Sequence, residues 1–185
     1  TVALLVIRVR GRSVRIGNRC KLNSMVYVCP GVTIEDGVMI SAVTIFTNDR
    51  FPRATTPDLK NLRPSEPDDE TMTTVIGAGA TIGAGCVIGS DLKIGQFAMV
   101  GMGSVVTKTV PDFALVIGNP ARVVGAVCRC GHVTAKFSGA QTEPLVAACP
   151  KCGRAYPIPN GEAVESPGPA PHCTPAPPAA AGSAP

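Results

Sequence analysis

The stretch VIGAGATIGAGCVIGSDLKIGQFAMVGMGSVV, residues 75–106, repeats with a period of six. Ile76, Ile82, Ile88, Ile94, Val100 and Val106 hold one phase, and Ala80, Cys86, Leu92, Ala98, Ser104 and Val110 hold the position four later. Such a period fits neither the 3.6-residue helix nor a heptad, and glycine at this density makes a poor helix. It fits a solenoid in which each hexapeptide supplies one short flat strand with its aliphatic pointing inward, and Gly or Asn near the corner turns without Cβ strain. Three hexapeptides close one triangular coil, and coils stack at the ~4.8 Å spacing of paired strands.

Upstream, the same phase runs through Ile16, Leu22, Val28, Ile34 and Ile40, with Cys20, Val26, Val32 and Val38 four residues later. Eleven in-phase aliphatics predict an all-β chain of between three and four coils. Arg10 falls in the inward phase, so the N-terminal coil is expected to be incomplete. Ile40 and Ile76 lie 36 residues apart, a multiple of six, and the segment between them, 47–74, is rich in Pro and charge. It reads as an excursion from a prism corner. Long loops within a compact domain tend to be functional; a tolerated disordered insertion is the plainer alternative.

Composition agrees with thin aliphatic layers: the chain of 185 residues has no Trp, 4% aromatics and 20 Gly. The net charge of +4 is mild and comes without a basic run or interleaved aromatics, which argues against nucleic acid as a partner. Val2 to Ile7 is too short to span a bilayer and has no basic segment before it, so neither a signal peptide nor membrane insertion is expected, and the chain reads as cytoplasmic. It begins at Thr1 without Met, as a fragment or processed product would.

After Val110, Pro111, Pro120 and the Gly118-Asn119 turn are expected to end the coils. Two close thiol pairs follow, Cys128/Cys130 and Cys149/Cys152, each with Gly next in sequence. They resemble the knuckles of a zinc ribbon, where four thiolates complete a tetrahedral shell, although the first pair is one residue short of CxxC. His132 is an alternative ligand, with a solvated turn residue as its plainer reading. A disulfide pairing is disfavoured because nothing marks the chain as secreted. Cys20 and Cys86 occupy small inward positions and read as core. The expected organisation is a β-helix over 1–126 with the 47–74 insertion, a zinc-ribbon-like module over 127–160 and a disordered Pro- and Ala-rich tail over 161–185.

Together the repeats, FTNDRFPRA (46–54) and GMGSVVTKTVPDFALVIGNPARVVG (101–125) resemble the hexapeptide-repeat acetyltransferases, in the branch acting on UDP-2-acetamido-3-amino-2,3-dideoxyglucuronate. The resemblance covers about residues 14–126. It implies a left-handed parallel β-helix assembled as a homotrimer, with active sites between neighbouring prisms. It further implies an acetyl-CoA arm against Gly101, Gly103, Ser104, Lys108 and Arg122. Glycine admits pantetheine amides to the backbone, although corner turning explains it equally, and Lys108 and Arg122 suit the CoA phosphates. This chain departs from the branch at residues 40–45, Ile-Ser-Ala-Val-Thr-Ile, where a Gly-Pro-Ser-like segment is usual, and in its appended ribbon.

Relatives that acylate a hydroxyl use a His general base, but the two His here, His132 and His172, both lie beyond Gly131. The same lack removes the zinc carbonic anhydrases of this fold, which need several His ligands. An uncharged amine needs no such base. In the resembled branch the Asn of the FTN segment hydrogen-bonds the sugar amine, and Asn48 holds that position, where capping the loop turn is its other reading. Arg50 and Arg53 suit a carboxylate or diphosphate, and Asp68, Asp69 and Glu70 are equally able to pair with them. The expected activity is acetyl-CoA-dependent N-acetylation of a nucleotide-linked amino sugar for surface polysaccharide or glycan precursors. O-acetylation of a small acceptor and a non-catalytic scaffold are the alternatives.

Overall fold

A computed structural model describes residues 14–64, 71–138 and 145–166. Val2–Ile7, Arg10, the loop acids Asp68, Asp69 and Glu70, and the tail's His172 and Cys173 lie outside them. Eleven short strands build the coils: β1 (Arg15–Ile16), β2 (Lys21–Leu22), β3 (Val32–Ile34), β4 (Met39–Ile40), β5 (Ile45–Phe46), β6 (Thr74–Ile76), β7 (Thr81–Ile82), β8 (Val87–Ile88), β9 (Lys93–Ile94), β10 (Met99–Val100) and β11 (Val105–Val106). They stack in parallel on three faces: β1-β3-β6-β9, β2-β4-β7-β10 and β5-β8-β11, which we call A, B and C. Tyr27 adds a rung to face C by bridging to Ile45.

Within a face the register aligns like with like, Ile34 on Ile76 on Ile94 and Leu22 on Ile40 on Ile82 on Val100. The inward side chains form one column: Ile34, Ile40, Ile76, Ile82, Ile88 and Ile94 are each at most 1% exposed. Phe46 occupies the same phase at 1% exposure, which supplies the sixth residue before the insertion and completes four coils. An aromatic in place of the aliphatic hides it from the sequence pattern. Ile16, at the open end, is 38% exposed because no coil covers it. Burial of aliphatic area, at about 25 cal/mol per Å², drives the stacking.

Two kinds of glycine hold the corners, and they differ from the single kind expected. The residue immediately after the inward aliphatic has an ordinary φ. A Cβ on Gly83 there would come within 2.5 Å of the Met102 nitrogen in the next coil, so glycine is needed for close approach. The left-handed turn falls two residues later, at Gly85 (φ 68°), and the same place holds Arg19, Met25, Val43, Asp91 and Phe97 with φ between 52° and 61°.

After β11 the parallel stacking lasts one rung more: Val110 bridges Ile94 on face A, and residues 114–118 pair in parallel with β10 on face B. β12 (Ala114–Gly118) caps face B on β10, turns at Asn119-Pro120, and returns as antiparallel β13 (Ala121–Val127), on which β14 (Val133–Lys136) pairs. β15 (Leu145–Ala148) and β16 (Ala155–Ile158) form a separate hairpin, and a 3-10 turn follows at Pro159–Gly161. Residues 126 and 127, on either side of the expected boundary, both lie in β13. The expected disordered tail is corrected over 161–166: Ala163 is 6% exposed, Val164 donates to the Pro157 carbonyl, and Glu165 pairs with Arg129 and Arg154. Composition alone does not reveal those partners. Among the described residues no helix is long and apolar enough to cross a membrane.

Candidate functional site

The insertion leaves the corner between faces C and A after Phe46 and returns at Thr74. Its two ends are zipped by the Met72 amide donating to the Asn48 carbonyl at 2.9 Å and by the Asp49–Thr71 bridge. Asn48 is half-buried, and its Nδ2 donates to the Pro30 carbonyl at 3.1 Å, tying the root of the insertion to the coil below. With Nδ2 so held, the amide presents Oδ1 as its remaining acceptor. Lys108 is exposed at the same corner one coil above Asp91, whose carboxylate lies 3.9 Å from the Arg50 guanidinium.

Arg50 and Arg53, expected to hold an anion, line one groove of about 720 Å³ inside the insertion. Arg63, which the sequence reading did not single out, lines it too, with the exposed ring of Phe51 and the side chain of Leu59. The groove is shaped by main-chain anchors: Arg63 donates to the Phe51 carbonyl at 2.9 Å and Arg53 to the Pro52 carbonyl at 3.0 Å. Thr55 bridges to Leu62, closing a small hairpin, and Asp58 accepts from the Thr56 hydroxyl and the Lys60 amide. Those bonds, that of Thr56 foremost, hold the Asp58 carboxyl below its ordinary pKa.

The residues expected against the cofactor divide between two corners. Gly101, Gly103 and Ser104 lie at the corner between faces B and C, away from Lys108. Gly103 has φ 70° and open space around it, whereas a Cβ on Gly101 would strike the Ile117 side chain at 2.5 Å. Ser104 is fully buried; its hydroxyl donates to the Gly101 carbonyl at 2.7 Å and accepts from the Gly118 amide at 3.2 Å. It therefore braces the terminal hairpin onto the last coil. Thr44, equally buried, makes the matching brace two coils earlier, bonding Ser41 and Gly83 carbonyls. Arg122 is exposed on β13, opposite Ile117, and donates to the Ala121 carbonyl at 2.9 Å.

At the end of β13 the four expected cysteines converge. The Sγ atoms of Cys128, Cys130, Cys149 and Cys152 all lie within 4.8 Å of one another, with Cys128 3.5 Å from Cys152 and Cys130 3.5 Å from Cys149. Four ligands at ~2.3 Å around a tetrahedral ion stand about 3.8 Å apart, so the spacing suits a metal, while a disulfide would need ~2.05 Å. The two turns match despite their unequal spacing: Gly131 donates to the Cys128 carbonyl and Gly153 to the Cys149 carbonyl. Tyr156, fully buried, donates its hydroxyl to Cys128 Sγ at 3.2 Å and accepts from the Arg129 amide at 2.9 Å. Burial pushes the Cys128 thiol up to about 12 and raises that of Cys130. His132 is exposed, its Nδ1 3.5 Å from Cys130 Sγ and outside the tetrad.

Elsewhere in the coils, Cys29 is 3% exposed, and burial pushes its thiol from 9.0 up to about 11. Cys86, also buried as expected, is raised for the same reason.

Residues 73–108 match the family described as bacterial transferase hexapeptide (six repeats). Over 88 residues the chain is 40% identical to a dTDP-3-amino-3,6-dideoxy-α-D-galactopyranose 3-N-acetyltransferase from Aneurinibacillus thermoaerophilus; the match covers 48% of this chain and 42% of that relative. The chain thus spans about two fifths of that curated relative's length. Among solved structures, a hexapeptide-repeat-containing acetyltransferase from Vibrio cholerae is 29% identical with TM-score 0.50, covering 61% of this chain and 62% of its own. An N-acyltransferase from Bacillus cereus, solved with dTDP and coenzyme A, is 22% identical with TM-score 0.52, covering 65% and 67%. These likenesses imply that the β-helix is left-handed.

Proposed function

We propose that the chain is an acetyl-CoA-dependent N-acetyltransferase that acylates the amino group of a nucleotide-linked amino sugar. The observation that carries this reading is the 40% identity to a 3-N-acetyltransferase of a dTDP-amino sugar, joined to a helix and insertion without a single His. Transfer to a hydroxyl needs a positioned base, whereas an uncharged amine attacks unaided. The amine nitrogen bonds to the thioester carbonyl carbon, the C–S bond breaks as the tetrahedral intermediate collapses, and the amine proton passes to solvent or to the departing thiolate. In this reading Asn48 Oδ1 accepts an amine N–H and orients the lone pair, with the Pro30 carbonyl fixing the amide. Gly101 and Gly103 admit the pantetheine, Lys108 and Arg122 meet the phosphates, and Arg50 and Arg53 hold the substrate's anionic part.

Assembly as a homotrimer completes the proposal. Face C turns Tyr27, Ile45, Val87 and Val105 outward in one register, with Met25, Val43 and Met102 exposed along its edge. Face A shows Arg15, Thr33, Val75 and Lys93 instead. An apolar outward ladder on one face favours that face as the side packing against another prism. The thiolate tetrad is proposed to hold structural zinc, with Tyr156 orienting Cys128 from outside the shell.

The test is thiol release from acetyl-CoA with a panel of dTDP- and UDP-linked amino sugars. Amine-dependent release should fall roughly a hundredfold in Asn48→Ala; absence of CoA binding would sink the enzyme reading. Zinc analysis of Cys149→Ser should show the metal lost, and an unchanged content would refute the ribbon.

A further inference from the structure

The two knuckles of the cysteine tetrad are tied together from outside by one carboxylate. Arg129 stands between Cys128 and Cys130, and Arg154 follows Cys152 by two residues. Glu165 meets both: its Oε2 lies 3.0 Å from the Arg129 guanidinium, and its Oε1 accepts from Arg154 Nη1. The Arg154 side chain is 18% exposed and that of Glu165 24%, against 44% for Arg129. The Arg154 contact is therefore the less screened of the two. Arg154 Nε is buried without a hydrogen-bond partner among the described residues, so the Glu165 contact offsets the cost of burying that guanidinium.

The segment that delivers Glu165 is itself anchored. After the Pro159–Gly161 turn, Ala163 packs in the buried cluster with Cys128, Cys149 and Tyr156, and the Val164 amide donates to the Pro157 carbonyl at 2.8 Å. Ala163 and Glu165 thus face the ribbon, with the Val164 side chain exposed between them. Tyr156 and the Arg129 amide fix Cys128 within its own knuckle, whereas Glu165 acts between knuckles. Each knuckle supplies two of the four sulfurs. A metal that has lost the sulfurs of one knuckle is recaptured unless the knuckles part, which is a local opening of the ribbon. We infer that Glu165 is a clasp joining the two knuckles, and that it sets how slowly the tetrad gives up its metal. The inference rests on the proposed zinc reading of the tetrad. It adds to that reading a positioning residue that works through two arginines.

The experiment is zinc release from the full chain into an excess of a chromogenic chelator, for wild type, Glu165→Gln, Arg154→Gln, the combined variant and Glu162→Gln. Glu165→Gln should release zinc on the order of tenfold faster, between the effects of losing an exposed and a buried ion pair. Arg154→Gln should behave alike, and the combined variant should be no faster than the faster single one, as for two partners of one contact. Glu162→Gln removes the same charge from an exposed neighbour in the segment and should stay within about twofold of wild type. Added salt should speed release from wild type more than from Glu165→Gln. With cobalt in place of zinc, each variant should keep the visible bands of wild type, showing that fold and ligand shell survive. Equal release from wild type and Glu165→Gln would overturn the clasp and leave the metal site standing. Equal acceleration in Glu162→Gln would overturn it too, as would cobalt bands lost from both Glu165→Gln and Arg154→Gln. No uptake of zinc or cobalt by wild type would remove the metal reading and the clasp with it.

Discussion

The ring of Phe97 lies flat on that of Phe113, centroids 5.6 Å apart and planes 8° from parallel. Both residues sit in the left-handed region, φ 52° and 57°, which costs an L-residue roughly 1–2 kcal/mol each. The stack continues to Tyr156 at 5.2 Å, and the Arg129 guanidinium covers Phe97 at 4.4 Å. An aromatic spine therefore joins the corner between faces A and B to the cysteine tetrad, and its packing offsets the strain.

Removing the middle ring should separate the two ends. Phe113→Ala is expected to cost about 3–5 kcal/mol, the range for truncating a buried Phe. Thermal unfolding should split into two transitions, with the four thiols becoming reactive in the first. A single transition at the wild-type midpoint would disprove the coupling.

Glycines two residues apart in one turn should respond differently. Gly83→Ala forces a Cβ to within 2.5 Å of the next coil's backbone and is expected to lose about 2–3 kcal/mol or more. Gly85→Ala meets open space and bears only the positive-φ penalty of about 1 kcal/mol. Denaturant midpoints of the two variants would establish the order.

The Cys29 thiol predicts an alkaline loss of stability. The folded state keeps it protonated up to about pH 11, whereas the unfolded chain ionises near 9.0. Its contribution is therefore full below pH 9 and declines as pH rises to about 11. From Cys29 alone the decline is on the order of 2 kcal/mol. Comparing the alkaline slopes of unfolding free energy in wild type and Cys29→Ala isolates that share; equal slopes would refute it.

Charge placed on face C should break the proposed trimer. Val105→Glu is expected to lower the sedimentation mass to that of one chain while leaving the strand signal in circular dichroism intact. The face A exchange Lys93→Glu should not change the mass.

The repeat made most of the fold legible, because inward residues six apart can satisfy only one packing scheme. Phe46 escaped it, since an aromatic stands where aliphatics are expected and the insertion starts at the next residue. The cysteine tetrad was readable from spacing, but Tyr156 and Glu165 were not, because nothing near them in sequence indicates a buried hydroxyl or a shared ion pair. The two main-chain partners of the Ser104 hydroxyl were not legible either, because a small inward position does not tell which carbonyl or amide the hydroxyl meets. Arg63 lies ten residues beyond Arg53, and the Thr55–Leu62 bridge, with the Arg63 amide donating to the Ala54 carbonyl, brings it to the same groove.

Across the insertion, Ile34 and Ile76 still pair, although the chain between them is 24 residues longer than the 18 separating Ile76 from Ile94. Those 24 residues equal four hexapeptides, so the coils on either side keep phase, and the Asn48–Met72 and Asp49–Thr71 links close the neck of the excursion. The segment behaves as a detachable cassette on an unbroken frame. In the proposed N-acetyltransferase, exchanging it at that neck offers a route to new acceptor selectivity without redesigning any rung of the prism.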